Sequence, residues 1–159
     1  MTKTDLARRV TLRMRETEGP TATLGLALEA VDIGSARVSM IVRKEMLNGV
    51  GTCHGGMLFT LADTAFAYAC NSRNSATVAQ QAAIAFLTPA MEGEVIVAHA
   101  QELALEGRTG VYQVRLATED GRVVAVFDGL SRTLGRPILS DAEIDDVAVG
   151  AGAGAAEAL

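Results

Sequence analysis

Polar and apolar residues alternate along much of the 159-residue chain, which is the pattern of β-strands with one buried face. In residues 110–119, for example, Tyr112 and Val114 alternate with the polar residues beside them. This alternation predicts six strands, at residues 22–31, 36–43, 77–88, 94–106, 110–119 and 122–133. Short turn sequences (TPAMEG, EGRTG and EDGR) separate the last four strands, so the strands are expected to pair antiparallel.

A different pattern covers residues 56–72, GMLFTLADTAFAYACNS, which are apolar or small on every face of a helix. Such a helix is expected to be buried all round, and it is too short to span a membrane. It must therefore pack on the antiparallel sheet, which gives an α+β fold class. Its large apolar side chains are interpreted as core, with the wall of an acyl pocket as the alternative: Phe59, Leu61, Phe66 and Tyr68.

A short amphipathic helix is predicted near the N-terminus, where Leu6, Val10 and Met14 recur at helical spacing. The basic residues of this stretch are interpreted as its solvated face: Arg8, Arg9, Arg13 and Arg15. No uninterrupted apolar core accompanies them, so a secretory signal is not predicted.

The formal net charge of −5 comes entirely from the C-terminal end of the chain. All 14 Lys and Arg residues lie in residues 1–140 with 14 of the 19 Asp and Glu residues, and the other five acids lie in residues 141–159. Because residues 1–140 carry no net charge, a nucleic-acid partner is not expected. Residues 137–159 are predicted to be an acidic, Gly/Ala-rich and poorly ordered tail behind a single domain at residues 1–136.

The composition narrows the class of protein further. The chain is 49% hydrophobic, which excludes an intrinsically disordered protein. Its two cysteines, Cys53 and Cys70, form no CxxC pair, and no stretch is long and apolar enough for a membrane helix. A cytoplasmic protein with reduced thiols and no membrane partner is therefore expected.

Candidate chemistry begins at Asp63, the one charged residue within the apolar helix 56–72. A lone carboxylate on an apolar face is costly unless it is paired, hydrogen-bonded, or placed where water or a ligand reaches it. This makes Asp63 a candidate catalytic acid or base. The alternative is structural, because Asp63 could accept hydrogen bonds from a neighbouring loop or pair with a distant arginine.

The segment NGVGTCHGG, residues 48–56, precedes this helix and is rich in glycine. Gly55 and Gly56 open onto the helix N-terminus, where free amides can bind a developing oxyanion. Asn48 adds a neutral amide that can hold a water or a carbonyl group. Glycines before a helix also form ordinary turns, so the interest of this loop comes from its position about two helical turns from Asp63.

Other chemistries find little support in the sequence. The only histidines are His54 and His99, and neither has a metal-ligand partner at useful spacing. Cys53 and His54 are adjacent, and adjacent side chains rarely face each other, so a Cys–His nucleophile is not predicted. No metal or redox cofactor is expected.

The segment NGVGTCHGGMLFTLADTAFAYACNS, residues 48–72, resembles the signature of hot-dog-fold acyl-CoA thioesterases of the phenylacetate-degradation (PaaI) group. A looser resemblance continues through QQAAIAFLTPAMEGEVIVAHAQE, GRTGVYQV and VVAVFDGLSRTLG, so that it covers residues 5–136. The resemblance implies a hot-dog fold, in which an antiparallel sheet wraps around one long central helix. It also implies a homodimer with two shared active sites, expected to assemble into a homotetramer.

The resemblance further implies roles for individual residues. They are the catalytic carboxylate (Asp63), the backbone amide that polarises the thioester carbonyl (Gly55), the amide that orients carbonyl or water (Asn48) and the histidine of the oxyanion loop (His54). Three more positions correspond to contacts with the coenzyme A arm: Arg108, Thr109 and Gly110.

The activity implied is hydrolysis of aryl-acetyl thioesters of coenzyme A, phenylacetyl-CoA or hydroxyphenylacetyl-CoA, to the free acid and coenzyme A. Asp63 would act as general base on a water, or attack the thioester itself. One alternative is a hot-dog dehydratase or hydratase that uses His54 with Asp63. A non-catalytic acyl-CoA-binding module is another, although residues 1–18 are too short for an attached DNA-binding segment. A ligand-free scaffold dimer would leave Asp63 without a purpose.

The spacing of two candidate residues along the chain is a separate argument that the active site is shared between two subunits. Gly55 and Asp63 are eight residues apart, so a helix separates them by roughly 12 Å. A water beside a carbonyl carbon bridges only about 6 Å between a donor and a base. A single helix therefore cannot apply both groups to one thioester, whereas two helices related by a two-fold axis can.

Overall fold

One long helix packs against a single six-stranded antiparallel sheet. The computed structural model describes residues 1–150. Its helices are α1 (Lys3–Arg15), α2 (Gly19–Leu24), α3 (Gly55–Asn71) and α4 (Asp141–Gly150), with a 3-10 turn at Lys44–Met46. Its strands are β1 (Ala27–Asp32), β2 (Ser35–Ile41), β3 (Thr77–Phe86), β4 (Val95–Glu106), β5 (Thr109–Thr118) and β6 (Val123–Thr133).

The order of strands across the sheet is β1-β2-β4-β5-β6-β3. Consecutive strands from β4 to β6 pair through short turns, as the sequence predicts. Strand β3 instead pairs with β6 at the far edge, so the chain crosses the whole sheet between β2 and β3 and carries α3 across its concave face. This arrangement is the predicted hot-dog fold.

The core lies between α3 and the concave face of the sheet. Alternate residues of β5 face inward and are buried, including Tyr112 and Val114, which confirms the predicted alternation. Leu61, Phe66 and Tyr68 of α3 are also fully buried, so they are core residues rather than the wall of a pocket. Burying a side chain of this size stabilises the fold by about 1.5–3 kcal/mol.

Helix α3 is not buried all round within one chain, and the prediction that it would be is wrong in this respect. A stripe along the helix stays partly or wholly exposed, formed by Gly56, Thr60, Asp63 and Ala67. The reason is that the sheet covers only part of the helix circumference. The neighbouring edge strand β3 exposes large apolar side chains too, since Val78 is 48% and Phe86 54% exposed.

The N-terminal region differs from the predicted strand at residues 22–31. Helix α2 occupies its first part, with Pro20 in the first turn and Gly25 as a left-handed cap with φ of 65°. Proline at a helix start and glycine at a helix end are start and stop signals. A six-residue helix is too short to add a clear hydrophobic periodicity to these signals, so the sequence pattern does not predict it. The strand β1 therefore begins only at Ala27.

The predicted poorly ordered tail is wrong up to residue 150. Ser140 and Glu143 exchange hydrogen bonds across the start of α4, which is the reciprocal pattern of a capping box. Arg9 of α1 donates to the carbonyl of Ile144 at 3.1 Å, so part of the basic face of α1 contacts α4 rather than solvent alone. Residues 151–159, with the end of the predicted tail, lie outside the described residues. Within residues 1–150, no helix has both the length and the apolar character needed to cross a membrane.

Candidate active site

A cavity of about 390 Å³ opens at the N-terminal end of α3. One wall is the glycine-rich loop before the helix, and the other is the segment that follows β3. The lining residues are Asn48, Thr52, Cys53, Gly55, Leu58, Phe86, Leu87, Thr88, Pro89 and Ala90. The structure thus brings together two predicted site residues, Asn48 and Gly55.

The side chain of Asn48 holds the glycine-rich loop in shape. Its Oδ1 accepts hydrogen bonds from the backbone N–H groups of Val50 at 3.0 Å and Thr52 at 3.1 Å. Its Nδ2 donates to Thr52 Oγ1 at 2.9 Å. Because the amide carries two N–H groups, one remains for a ligand.

His54 is the N-cap residue of α3, and its Nδ1 accepts a hydrogen bond from the Gly56 N–H at 2.9 Å. The Gly55 N–H, at the first helical position, has no intrahelical acceptor and none elsewhere among residues 1–145. An unoccupied amide that borders a cavity at a helix N-terminus can bind an anionic oxygen. The position also needs a small residue, because a Cβ on Gly55 would lie 2.8 Å from Phe86 Cζ.

Cys53 is not an activated nucleophile. Its thiol is buried and donates to the His54 carbonyl at 3.7 Å, while the imidazole of His54 caps the helix. Burial raises the pKa of the Cys53 thiol, so the reactive thiolate is disfavoured at neutral pH. This agrees with the prediction that no Cys–His pair operates here.

Asp63 lies on the third turn of α3, half-buried, on the exposed stripe of the helix. Burial first, and then the charge of Glu18, raises the pKa of its carboxyl. Its carboxylate has no hydrogen bond or ion pair with residues 1–145, so the structural alternative of a loop or arginine partner has no support. Asp63 is also absent from the lining of the cavity at Gly55, about 12 Å away along the helix axis.

Glu18 is a neighbour of Asp63 that the sequence did not single out. This N-cap residue of α2 accepts hydrogen bonds from the buried Tyr68 hydroxyl and, at 2.5 Å, from Thr21 Oγ1. Burial, with the hydrogen bond to Glu18, raises the pKa of Tyr68 to about 12, so its hydroxyl stays protonated. No pattern in the sequence links residues 18 and 63, because helix α2 itself is not predicted.

The second wall of the cavity is fixed at both ends by groups distant in sequence. Arg122, in the turn before β6, pairs with Glu94 and donates to the Pro89 carbonyl at 2.6 Å. The next carbonyl, that of Ala90, accepts from the Cys53 N–H at 2.8 Å. Arg122 therefore anchors the segment that in turn anchors the glycine-rich loop.

The structure does not bring Arg108, Thr109 and Gly110 to this cavity. They lie at the β4–β5 turn, at the end of β5 opposite Thr118, and none of them lines the cavity. Arg108 donates to the Thr133 carbonyl at 3.1 and 2.9 Å. Gly110 is required by packing, since a Cβ there would lie 2.7 Å from a ring carbon of Tyr112. Their predicted contact with the coenzyme A arm stays a prediction.

Residues 50–125 match the family model described as the thioesterase superfamily. The chain is 43% identical over 129 residues to the acyl-coenzyme A thioesterase PaaI of Escherichia coli (strain K12), a match that covers 81% of this chain and 92% of that protein. The solved structure of E. coli PaaI, from the phenylacetic acid degradation operon, has a TM-score of 0.84 at 40% identity and covers 86% of this chain and 99% of that one. A point mutant of the phenylacetic acid degradation protein PaaI from Thermus thermophilus has a TM-score of 0.71 at 37% identity, with 74% and 100% covered.

Proposed function

Because the chain belongs to the thioesterase superfamily and is an acyl-coenzyme A thioesterase of the PaaI group, we propose that its substrates are aryl-acetyl thioesters of coenzyme A. Phenylacetyl-CoA and hydroxyphenylacetyl-CoA are the specific candidates, hydrolysed to the free acid and coenzyme A. The origin of the E. coli relative in a phenylacetic acid degradation operon supports this choice of acyl group. The observation that supports hydrolysis at this site is the Gly55 amide, which has no acceptor among residues 1–145 and lies at the mouth of the α3 cavity.

The proposed chemistry assigns the oxyanion to the backbone. The thioester carbonyl oxygen accepts from the Gly55 N–H, which stabilises the tetrahedral intermediate as negative charge develops. Asn48 contributes its remaining N–H to the carbonyl or to the attacking water. His54 is proposed as a positioning residue, because its Nδ1 accepts from the Gly56 N–H and so holds the first turn of the helix in place.

Asp63 is proposed as the general base. It takes a proton from water as the oxygen attacks the carbonyl carbon, and the intermediate then expels the coenzyme A thiolate. A half-buried carboxylate with a raised pKa is a stronger base than an ordinary aspartate. Direct attack by Asp63, through a mixed anhydride, is the internal alternative. Neither route uses a metal or redox cofactor.

A homodimer with shared sites is part of the proposal. Within one chain the Gly55 amide and the Asp63 carboxylate are about 12 Å apart along α3, too far to act on one carbonyl group. The exposed stripe of α3 and the apolar edge strand β3 are surfaces that a two-fold axis can pair. Such pairing sets Gly55 of one chain opposite Asp63 of the partner subunit, twice. Two dimers are proposed to form a homotetramer.

No observation favours the alternative functions. A hydratase would need His54 as an acid–base partner of Asp63, and one ring nitrogen of His54 is already committed to the helix cap. A binding module would not need an unpaired, half-buried carboxylate on an exposed stripe.

The test is a panel of coenzyme A esters with a thiol reagent that measures release of coenzyme A. The panel contains phenylacetyl, hydroxyphenylacetyl, benzoyl, acetyl and long-chain esters. We expect the highest kcat/KM for the two aryl-acetyl esters. A clear preference for long-chain esters would contradict the aryl-acetyl assignment, and it would leave thioester hydrolysis intact.

A further inference from the structure

The outer face of the sheet carries a row of basic side chains that the proposed reaction does not use. Arg37 on β2 is the cross-strand partner of His99 on β4, and His99 is the partner of Arg115 on β5. The residues beside them on each strand are buried under α3, so these three side chains project from the opposite face. We call this row, with the surface around it, the basic trough.

The basic trough holds a cavity of about 390 Å³. Its lining includes two small apolar residues between the charges, Val97 and Ala117. Two carboxylates, those of Glu29 and Glu119, also border it. The Nε2 of His99 lies 3.3 Å from the Ser35 hydroxyl, which fixes the ring at one side.

The two guanidinium groups of the basic trough are not neutralised within the part of the chain whose side chains the structure describes. No carboxylate of residues 1–145 lies within 4.0 Å of Arg37 or Arg115. Arg115 donates only to the Gly121 carbonyl, at 3.4 Å. Arg37 and Arg115 lie on either side of His99 on the neighbouring strands, so an anion bound between them would reduce the repulsion between the two guanidinium charges.

The geometry points to a binding site for a compact phosphate-bearing anion in the basic trough, held between Arg37 and Arg115 with His99 as the third donor. Guanidinium groups match the oxygens of a phosphate group in planar, paired hydrogen bonds. The carboxylates of Glu29 and Glu119 limit the negative charge that the trough accepts. They favour a single phosphate group over a long polyanion such as a nucleic acid.

Two sources can supply this chemistry, inorganic phosphate and the phosphate groups of a nucleotide. Calorimetric titrations with inorganic phosphate and with adenosine 3′,5′-bisphosphate distinguish them. Arg37→Gln and Arg115→Gln should each weaken binding of the preferred ligand by about tenfold or more, since each removes a charged donor. Arg132→Gln, an exposed arginine on β6 outside the trough, is the matched control and should bind as wild type does.

Because the three side chains are wholly or partly exposed, the variants are expected to fold, and thermal unfolding checks this for each one. Arg37→Lys keeps the charge without the planar fork and should show an intermediate loss. The proposal is overturned if wild type binds neither ligand at millimolar concentration. Equal losses in Arg132→Gln and in the trough variants would also overturn it.

A second readout isolates His99. Burial first, and then the Arg37 charge, lowers the pKa of His99, so the ring is neutral at pH 7 and an adjacent anion favours its protonation. The charged groups that face His99 in the trough are Arg37, Arg115, Glu29 and Glu119. Sulfate keeps its charge between about pH 6 and pH 8, so a fall in its affinity as pH rises would report the loss of the His99 proton. His99→Gln should abolish this dependence, and an unchanged pH dependence would remove His99 from the site.

Discussion

The first and third turns of α3 hold the two halves of the proposed chemistry, and the fold supports them in opposite ways. At the first turn, the donor is a backbone amide, fixed by the cap of His54 and by the hydrogen bonds of the loop before it. At the third turn, Asp63 is a side chain without a partner among residues 1–145, adjusted only by burial and by the charge of Glu18.

The position of the donor and the reactivity of the base are thus provided by separate parts of α3. The amide must sit at a defined point, since an oxyanion donor acts over a hydrogen-bond length. The carboxylate must instead hold a suitable proton affinity, which burial raises and a salt bridge would lower. Changes at the two turns should therefore have different signatures.

The largest effect is expected at the third turn. Asp63→Asn removes the base and keeps the shape, so kcat should fall by at least about a hundredfold. The control is Asp128→Asn, an exposed carboxylate on the outer face of the sheet, which should keep full activity. Steady-state thioester hydrolysis measures both, and near-normal turnover by folded Asp63→Asn enzyme would reject Asp63 as base or nucleophile.

The thermal stability of Asp63→Asn is a second, independent measurement on the same variant. The folded state raises the pKa of Asp63, so it holds this proton more tightly than the unfolded chain does. The stability linked to this proton is present at low pH and is lost as pH rises through the folded pKa. Asp63→Asn should therefore unfold at the same or a higher temperature than wild type at pH 7.

A loss of about a hundredfold in kcat is expected when the first turn loses its donor. Gly55→Pro removes the N–H at a helical position that accepts proline, and His54 already has the extended backbone that precedes proline. Gly55→Ala is the matched control, because it adds the same Cβ near Phe86 and keeps the N–H. Equal losses in the two variants would attribute the effect to crowding and would refute the donor role.

Mixed dimers test whether the two turns act across chains. Asp63→Asn and Gly55→Pro chains, inactive alone, are co-expressed with different affinity tags and purified as heterodimers. Each heterodimer should contain one intact site of two, and so recover about half of the wild-type activity. Heterodimers of Asp63→Asn with the double variant contain no intact site and should stay inactive. Fully formed mixed dimers without activity would exclude shared sites.

The smallest effect concerns Glu18. Its negative charge raises the pKa of Asp63, so Glu18→Gln should lower that pKa and move the acid limb of kcat/KM to lower pH by less than about one unit. Gln keeps an oxygen that can accept from Tyr68 and Thr21. Glu16→Gln, an exposed neighbour paired with Arg13, should leave the pH profile unchanged. If the acid limb of Glu18→Gln lies at the same pH as that of wild type, burial alone raises the pKa of Asp63.

Local pattern predicted most of the fold. Alternation located five of the six strands to within two residues at each end, most closely where one face is buried under α3, as in β5. The first strand begins five residues later than predicted, because helix α2 occupies that segment. Helix α4 was missed although Ser140 and Glu143 have the spacing of a capping box, since the Gly/Ala-rich sequence after them dominated the interpretation. The exposed stripe of α3 could not be predicted, because apolar and small residues occur on covered and uncovered faces alike.

The candidate site was predicted where its residues are close in sequence. Gly55 and Asp63 lie in one segment, and their separation follows from the helical rise. Contacts between residues that are distant in the sequence cannot be predicted from spacing in this way. Arg122 reaches the Pro89 carbonyl and the Ala90 carbonyl reaches Cys53, and these hydrogen bonds depend on how the completed sheet meets the loop.

The bonds that Asn48 makes within its own loop have a consequence for how this enzyme meets its substrate. The loop is closed before any ligand arrives, with the amides of Val50 and Thr52 already bound to a side chain of the same segment. The proposed donor at its end, the Gly55 amide, would therefore need no rearrangement when charge develops, and binding would lose little chain entropy there. In hydrogen exchange these two amides should behave as slowly exchanging groups in an otherwise exposed loop, with the same protection in the empty and the occupied enzyme.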